Sequence, residues 1–138
     1  MSAKAFFDTN ILVYAFVQND QRTPEAEALL AGGGTISVQI LNEFVAVAVR
    51  KLGMAWPEVL DSLAAIRTLC LPPVPLTVAT HDAALQIAQE YGYRIYDSLV
   101  LASAILAGCD TLYSEDLQHG QVINTIKIQN PFATMRAT

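Results

Sequence analysis

The chain has 138 residues, 53% of them hydrophobic and 15% charged. That is enough for one domain with a sizeable core, too short for two ordinary domains and too apolar for a disordered chain. A net charge of −5 at pH 7 excludes the broad basic footprint of a protein that coats nucleic acid, so any such contact has to be local; it also suits a basic protein partner.

Two cysteines, Cys70 and Cys109, sit in apolar surroundings without C-x-x-C or Cys/His spacing, which points to buried, reduced thiols. Asp8 and Asn10 interrupt the apolar N-terminus, so no signal peptide is expected. The longest apolar stretch, Leu99 to Cys109 broken by Ser103, falls short of the ~20 residues that span a bilayer. A single domain over residues 1–138, soluble, cytoplasmic and away from membranes, is expected.

Ala3–Phe7 reads as a short strand that runs into Asp8-Thr9-Asn10, followed by a helix over Ile11–Phe16. Thr23-Pro24-Glu25 opens a second helix with proline at its first turn, ended by Gly32-Gly33-Gly34; without a following Lys-Ser/Thr the glycines are a stop, not a phosphate cradle. Thr35–Ser37 is a second strand and Val38–Leu52 a helix ended by Gly53. Trp56-Pro57-Glu58 starts the next helix, apolar at helical spacing to Leu69. Pro72–Leu76 can only be an edge strand or extended segment. Thr80-His81-Asp82 caps a helix that stops at Gly92. Asp97–Ala107 is a helix apolar on almost every side, hence central. Thr111–Ser114 is a strand, residues 115–120 a loop and Thr125–Ile128 a last strand. Strands alternating with helices predict an α/β fold: a mostly parallel sheet of about five strands, flanked by helices on both faces.

Four acids stand at strand ends or helix starts. Asp8 is either a helix N-cap or a strand-terminal carboxylate where α/β sheets place ligands. Glu43 is an acid amid Ile40, Leu41, Phe44 and Val47, with Gln39, Val47 and Arg50 on its helix face; the plain alternative is a solvated side chain paired with Arg50 or Lys51. Asp97 heads the most apolar helix, where a first-turn acid also complements the helix dipole. Asp116 follows a strand as Asp8 does, with Ser114 matching Thr9 as a nearby hydroxyl. Glu115 reads as a solvated loop acid, and Asp61, Asp82 and Asp110 as caps or surface charge. His81 and His119 read as surface residues.

Gathered in one cavity, Asp8, Glu43, Asp97 and Asp116 would repel one another unless a cation were present. All-oxygen donors without cysteine favour Mg²⁺ or Mn²⁺ over Zn²⁺. A dication that activates water and offsets charge on phosphate is the layout for phosphodiester hydrolysis, with an off-metal carboxylate able to act as general base.

The stretches Phe7-Asp8-Thr9-Asn10-Ile11-Leu12, Ser37 to Glu43-Phe44, Tyr96-Asp97-Ser98 and Leu112-Tyr113-Ser114-Glu115-Asp116-Leu117 resemble, in order and over nearly the whole chain, the PIN-domain ribonucleases, and among them the VapC-type toxins of toxin–antitoxin pairs. The resemblance implies Mg²⁺- or Mn²⁺-dependent cleavage of RNA, a homodimer, and a cognate antitoxin whose tail enters the acidic site. It implies that Asp8, Glu43, Asp97 and Asp116 are the catalytic acids, with Asp8, Asp97 and Asp116 on the metal and Thr9, Asn10 and Ser114 orienting them. Many members carry a second Asp and an aromatic residue where this chain has Gln118-His119, which leaves open whether one or two metals bind. Arg50, Lys51 and Arg94 are the candidate RNA contacts.

Two other classes compete. A phosphatase or phosphoryl-accepting domain also uses strand-end aspartates, but no second Asp stands two positions after Asp8 and no lysine near a strand end after Ser114. A catalytically silent module would keep the acids to dock a basic partner.

Overall fold

A computed structural model describes residues 4–135; Ala3, expected to open the first strand, lies outside them. Strand β1 (Ala5–Phe7) pairs in parallel with β2 (Thr111–Tyr113), and β2 in parallel with β4 (Ile126–Gln129). At the edge, β3 (Val122–Ile123) runs antiparallel to β4. On its other side β1 is flanked by the segment 35–37: Thr35 N–H donates to Ala5 O (2.8 Å), and Phe7 N–H to Thr35 O (3.1 Å). That segment in turn pairs with Val74, which donates to Ile36 O (2.9 Å) and accepts from Val38 N–H (3.0 Å). Pro73 and Pro75 flank the one pairing residue, so neither has to supply a ladder donor. The expected mostly parallel sheet is present, with two of its five expected segments reduced to single-residue pairings.

Successive residues of a strand point to opposite faces. Phe6 and Phe7 are both fully buried, so both faces of the sheet are covered, as a parallel sheet requires. Each ring contributes roughly 2–3 kcal/mol of burial. The cover is six helices: α1 (Thr9–Phe16), α2 (Thr23–Ala31), α3 (Val38–Arg50), α4 (Trp56–Leu69), α5 (Val78–Tyr91) and α6 (Ile95–Leu106). In α6 every residue from Ser98 to Ala104 is buried, which is the central helix its all-round apolarity predicts. Cys70 and Cys109 are buried free thiols.

Helix starts follow local capping chemistry. Asp8 accepts from Thr9 N–H, and Ser37 from Ile40 N–H at 3.2 Å. For α5 the cap is Thr77, which accepts from Thr80 N–H, so the helix begins earlier than Thr80-His81-Asp82 suggests. Likewise α6 begins at Ile95, which puts Asp97 third in its first turn. The pair β3–β4 is a hairpin absent from the sequence reading. Its turn is Asn124-Thr125, with Asn124 at φ 52°, and Thr125 is turn, not strand.

Two connections set the functional crevice. From β1 the chain passes through α1 and α2 to the segment 35–37 on one side, while β2 arrives on the other side from α6. The strand order therefore reverses at β1, and the groove outside the carboxyl ends of β1 and β2 is where an open α/β sheet binds ligands.

Candidate active site

The residues directly after two adjacent parallel strands supply the floor of the site. Asp8 N–H continues the ladder to Tyr113 O (3.0 Å), and Ser114 N–H continues it to Gln129 O (3.0 Å). The two side chains thus emerge side by side, and Ser114 Oγ donates to Asp8 Oδ2 at 2.7 Å. Asp8 Oδ1 accepts from Thr9 N–H at 2.7 Å. Asp8 is both the cap of α1 and the strand-end acid of the crevice; the two readings of the sequence are one geometry. Only 6% of Asp8 is exposed. Burial pushes its carboxyl up from 3.8 to about 6; the bonds from Ser114 and Thr9 pull it down, and the charges of Asp116 and Glu43 push it up.

The other three acids arrive from separate elements. Glu43 projects from α3, where Thr9 Oγ1 donates to its Oε2 (2.7 Å) and Gln39 Nε2 to its Oε1 (3.3 Å). Its partners are therefore Thr9 and Gln39, not Arg50 or Lys51. Asp116 stands on the loop after β2, exposed, and accepts from Asn10 Nδ2 at 3.2 Å. Asp97 is half-buried in the first turn of α6, with the exposed Arg94 at 3.7 Å. Its side chain stays partly open to water even though it heads the most buried helix. All four line one cavity of about 590 Å³, together with Thr9, Asn10 and Lys51.

Hydrogen bonds fix the loop that carries Asp116. Asn10 Oδ1 accepts from Glu115 N–H (3.2 Å), and Ser114 Oγ accepts from Asp116 N–H (3.2 Å) and Leu117 N–H (3.4 Å). Thr9, Asn10 and Ser114 each bond at least one of the acids. Of the three cations named from sequence, Lys51 lines the cavity, Arg94 sits beside Asp97, and Arg50 is exposed without lining it.

Two features were not legible. Glu115 is no solvated loop acid: it lines the cavity, accepts from Tyr14 OH and pairs with Arg22 at 2.9 Å. One wall is apolar, made by Val13, Val17, Val47, Leu52 and Val100. These come from α1 and the residue after it, from α3 and the turn after it, and from α6, and only the tertiary fold brings them to one cavity. His119 accepts from Asn130 N–H at 2.9 Å, a loop-tying role rather than a ligand's.

Among the described residues no three His, Cys, Asp or Glu side chains stand close enough to share one ion. Mg²⁺ needs no such cage, because it keeps several waters and takes one or two carboxylates directly. A cavity lined by hard oxygen donors, in which burial first and then the charges of Asp116 and Glu43 push the Asp8 carboxyl up, fits an ion of that kind.

The arrangement has relatives. A toxin–antitoxin complex from Klebsiella pneumoniae matches with a TM-score of 0.71 at 21% identity, over 93% of this chain and 98% of that one. The DNA-bound VapBC complex from Salmonella typhimurium matches at 0.69 and 19% identity, over 94% and 99%. Mycobacterium tuberculosis VapC20, described as a sarcin–ricin loop cleaving toxin, matches at 0.68 and 21% identity, over 82% and 90%. At such identities these structures speak for the fold alone, and no protein of curated function matches the chain. The PIN domain family model, however, matches residues 5–123, a span that carries all four acids and the strands and helices that present them. The chain belongs to the PIN domain family.

Proposed function

We propose that the chain is a VapC-type toxin: a Mg²⁺- or Mn²⁺-dependent endoribonuclease that forms a homodimer, acts in the cytoplasm and is restrained by a cognate antitoxin. Membership of the PIN family and the likeness to the toxin VapC20, to a VapBC complex and to another toxin–antitoxin complex support that class. The observation that carries it is the convergence of Asp8, Glu43, Asp97 and Asp116, from four separate elements, on one cavity.

In this reading Asp8, Asp97 and Asp116 are the acids that would serve the ion, one or two of them directly and the rest through its waters, and Glu43 is the acid left free to take a proton from the attacking water. When bound, the ion acidifies that water and neutralises charge developing on the phosphate. Ser114 and Thr9 N–H hold Asp8 in one rotamer with its two oxygens aimed. Thr9 does the same for Glu43, so one turn of chain orients both the ion's ligand and the base. Asn10 steers Asp116. Lys51 and Arg94 supply local positive charge for the flanking phosphates, and the apolar wall excludes water around the reacting group. Among the described residues no helix is long and apolar enough to cross a membrane.

The test is cleavage of RNA by the purified chain with Mn²⁺. Asp8→Asn is expected to lower the rate roughly 10²–10⁴-fold with an unchanged circular-dichroism spectrum, and chelator to abolish wild-type cleavage. Cleavage indifferent to both would overturn the assignment.

A further inference from the structure

Beside the four acids lies a second network that the mechanism above leaves unused. Arg22 sits between α1 and α2. Its Nε and one terminal nitrogen donate to the two oxygens of Asp20 at 2.9 and 2.8 Å, and its other terminal nitrogen donates to Glu115 Oε2 at 2.9 Å. Asp20 also accepts from Arg22 N–H at 2.9 Å, so the guanidinium fork is set before it meets Glu115. The same guanidinium lies 3.9 Å over the ring of Tyr14, whose edge contact with Phe132 (5.3 Å) fixes the ring from another side. Tyr14 OH donates to Glu115 Oε1. Both oxygens of Glu115 are thereby engaged, although the residue lines the cavity.

Half-exposed ion pairs add little to stability, so the value of this one is positional. Glu115 is the residue directly before Asp116. Its backbone N–H is held by Asn10, and the next two amides are held by Ser114. Those bonds tie the loop at its backbone, and Tyr14 with Arg22 tie it at a side chain from the opposite direction. The Asp116 carboxylate has a single hydrogen bond among the described residues, from Asn10 at 3.2 Å, and is otherwise fixed only through the loop.

We infer that Tyr14, Arg22 and Glu115 form a strut that sets the position of Asp116, with Glu115 a positioning residue and neither a metal ligand nor the base. The catalytic consequence rests on the nuclease reading; the strut itself does not.

Four variants test it: Arg22→Met, Glu115→Gln, their double, and Tyr14→Phe, which removes only one hydroxyl. Each is expected to speed hydrogen exchange of the 115–117 amides while β1, β2 and β4 keep their protection. Each should also weaken Mn²⁺ binding in calorimetry and lower kcat on RNA about 10-fold, the scale of outer-shell partners, with KM unchanged. The double variant should be no worse than either single, because both break one device. Unchanged exchange at 115–117 in all four would overturn the strut. So would opposite effects of Arg22→Met and Glu115→Gln on Mn²⁺ affinity, which would mean that charge alone matters. A raised KM for Arg22→Met alone, sensitive to salt, would make Arg22 a phosphate contact instead. Wild type that neither binds Mn²⁺ nor cuts RNA would sink the nuclease reading by itself, and the exchange data would still decide the strut.

Discussion

Asp8 carries a cost that is measurable without any substrate. Its carboxyl is buried and pushed up from 3.8 to about 6, first by desolvation. A group that holds its proton more tightly when folded makes the folded state the better proton binder between those two values. Stability then falls as pH rises through that window. Above it, the metal-free protein is less stable by on the order of 3 kcal/mol than it would be with an unperturbed aspartate. Asp8→Asn removes that dependence. Urea midpoints taken in chelator should show the variant gaining on wild type between pH 4 and pH 7 by about 2–3 kcal/mol. A gap that stays flat over that range would mean Asp8 is solvated, and the reason a cation is needed would disappear. Asp8 and its Thr9-Asn10 neighbours were readable because strand, cap and acid are contiguous. Glu115 was misread because its partners, Tyr14 and Arg22, stand 101 and 93 positions away. A loop acid and a solvated acid look alike until the chain is folded.

At the scale of elements, what positions Asp8 is the seating of β1. Gly34 precedes the segment that pairs with β1, and a Cβ built on it would lie 2.6 Å from the ring of Phe7. Phe7 is fully buried, so the ring has nowhere to retreat. Gly34→Ala should therefore cost about 1–3 kcal/mol, the range for overpacking. Because the displaced ring belongs to the residue before Asp8, the same change should reduce cleavage beyond the loss of folded protein. Thermal midpoints and specific activity on the folded fraction separate the two effects. The triple glycine was legible as a stop, but the reason for its third member lies across the sheet. Helices were generally legible, since Gly53, Pro57 and Gly92 mark their ends by local chemistry, although Ser37, read as strand, is the cap of α3. The hairpin β3–β4 was not. Its two-residue turn uses Asn124-Thr125 rather than a glycine pair, and the strand before it, Val122–Ile123, is too short for alternation to register.

For the whole molecule the nuclease reading asks how a chain of net charge −5 would engage a polyanion. In that reading four acids stand where the phosphate would come; Lys51 lines the cavity and Arg94 lies beside Asp97, while Arg22 is already engaged by Asp20 and Glu115. Coulomb repulsion between the apo site and RNA is therefore unrelieved until a dication enters, and binding of substrate and metal should be strongly coupled. With two or three phosphate contacts, the log–log dependence of RNA affinity on salt should have a slope of about −2 or shallower. A protein that reads RNA through a basic face would be several times steeper. Fluorescence anisotropy with the uncleavable Asp8→Asn chain would lose the metal, so the measurement is made on wild type with a phosphorothioate-blocked RNA. Affinity is expected to rise sharply on adding Mn²⁺ and to fall in Lys51→Ala and Arg94→Ala, while Arg50→Ala, away from the cavity, leaves it unchanged. Tight binding in chelator, with a steep salt slope, would instead locate the RNA on another surface and detach the acids from its recognition.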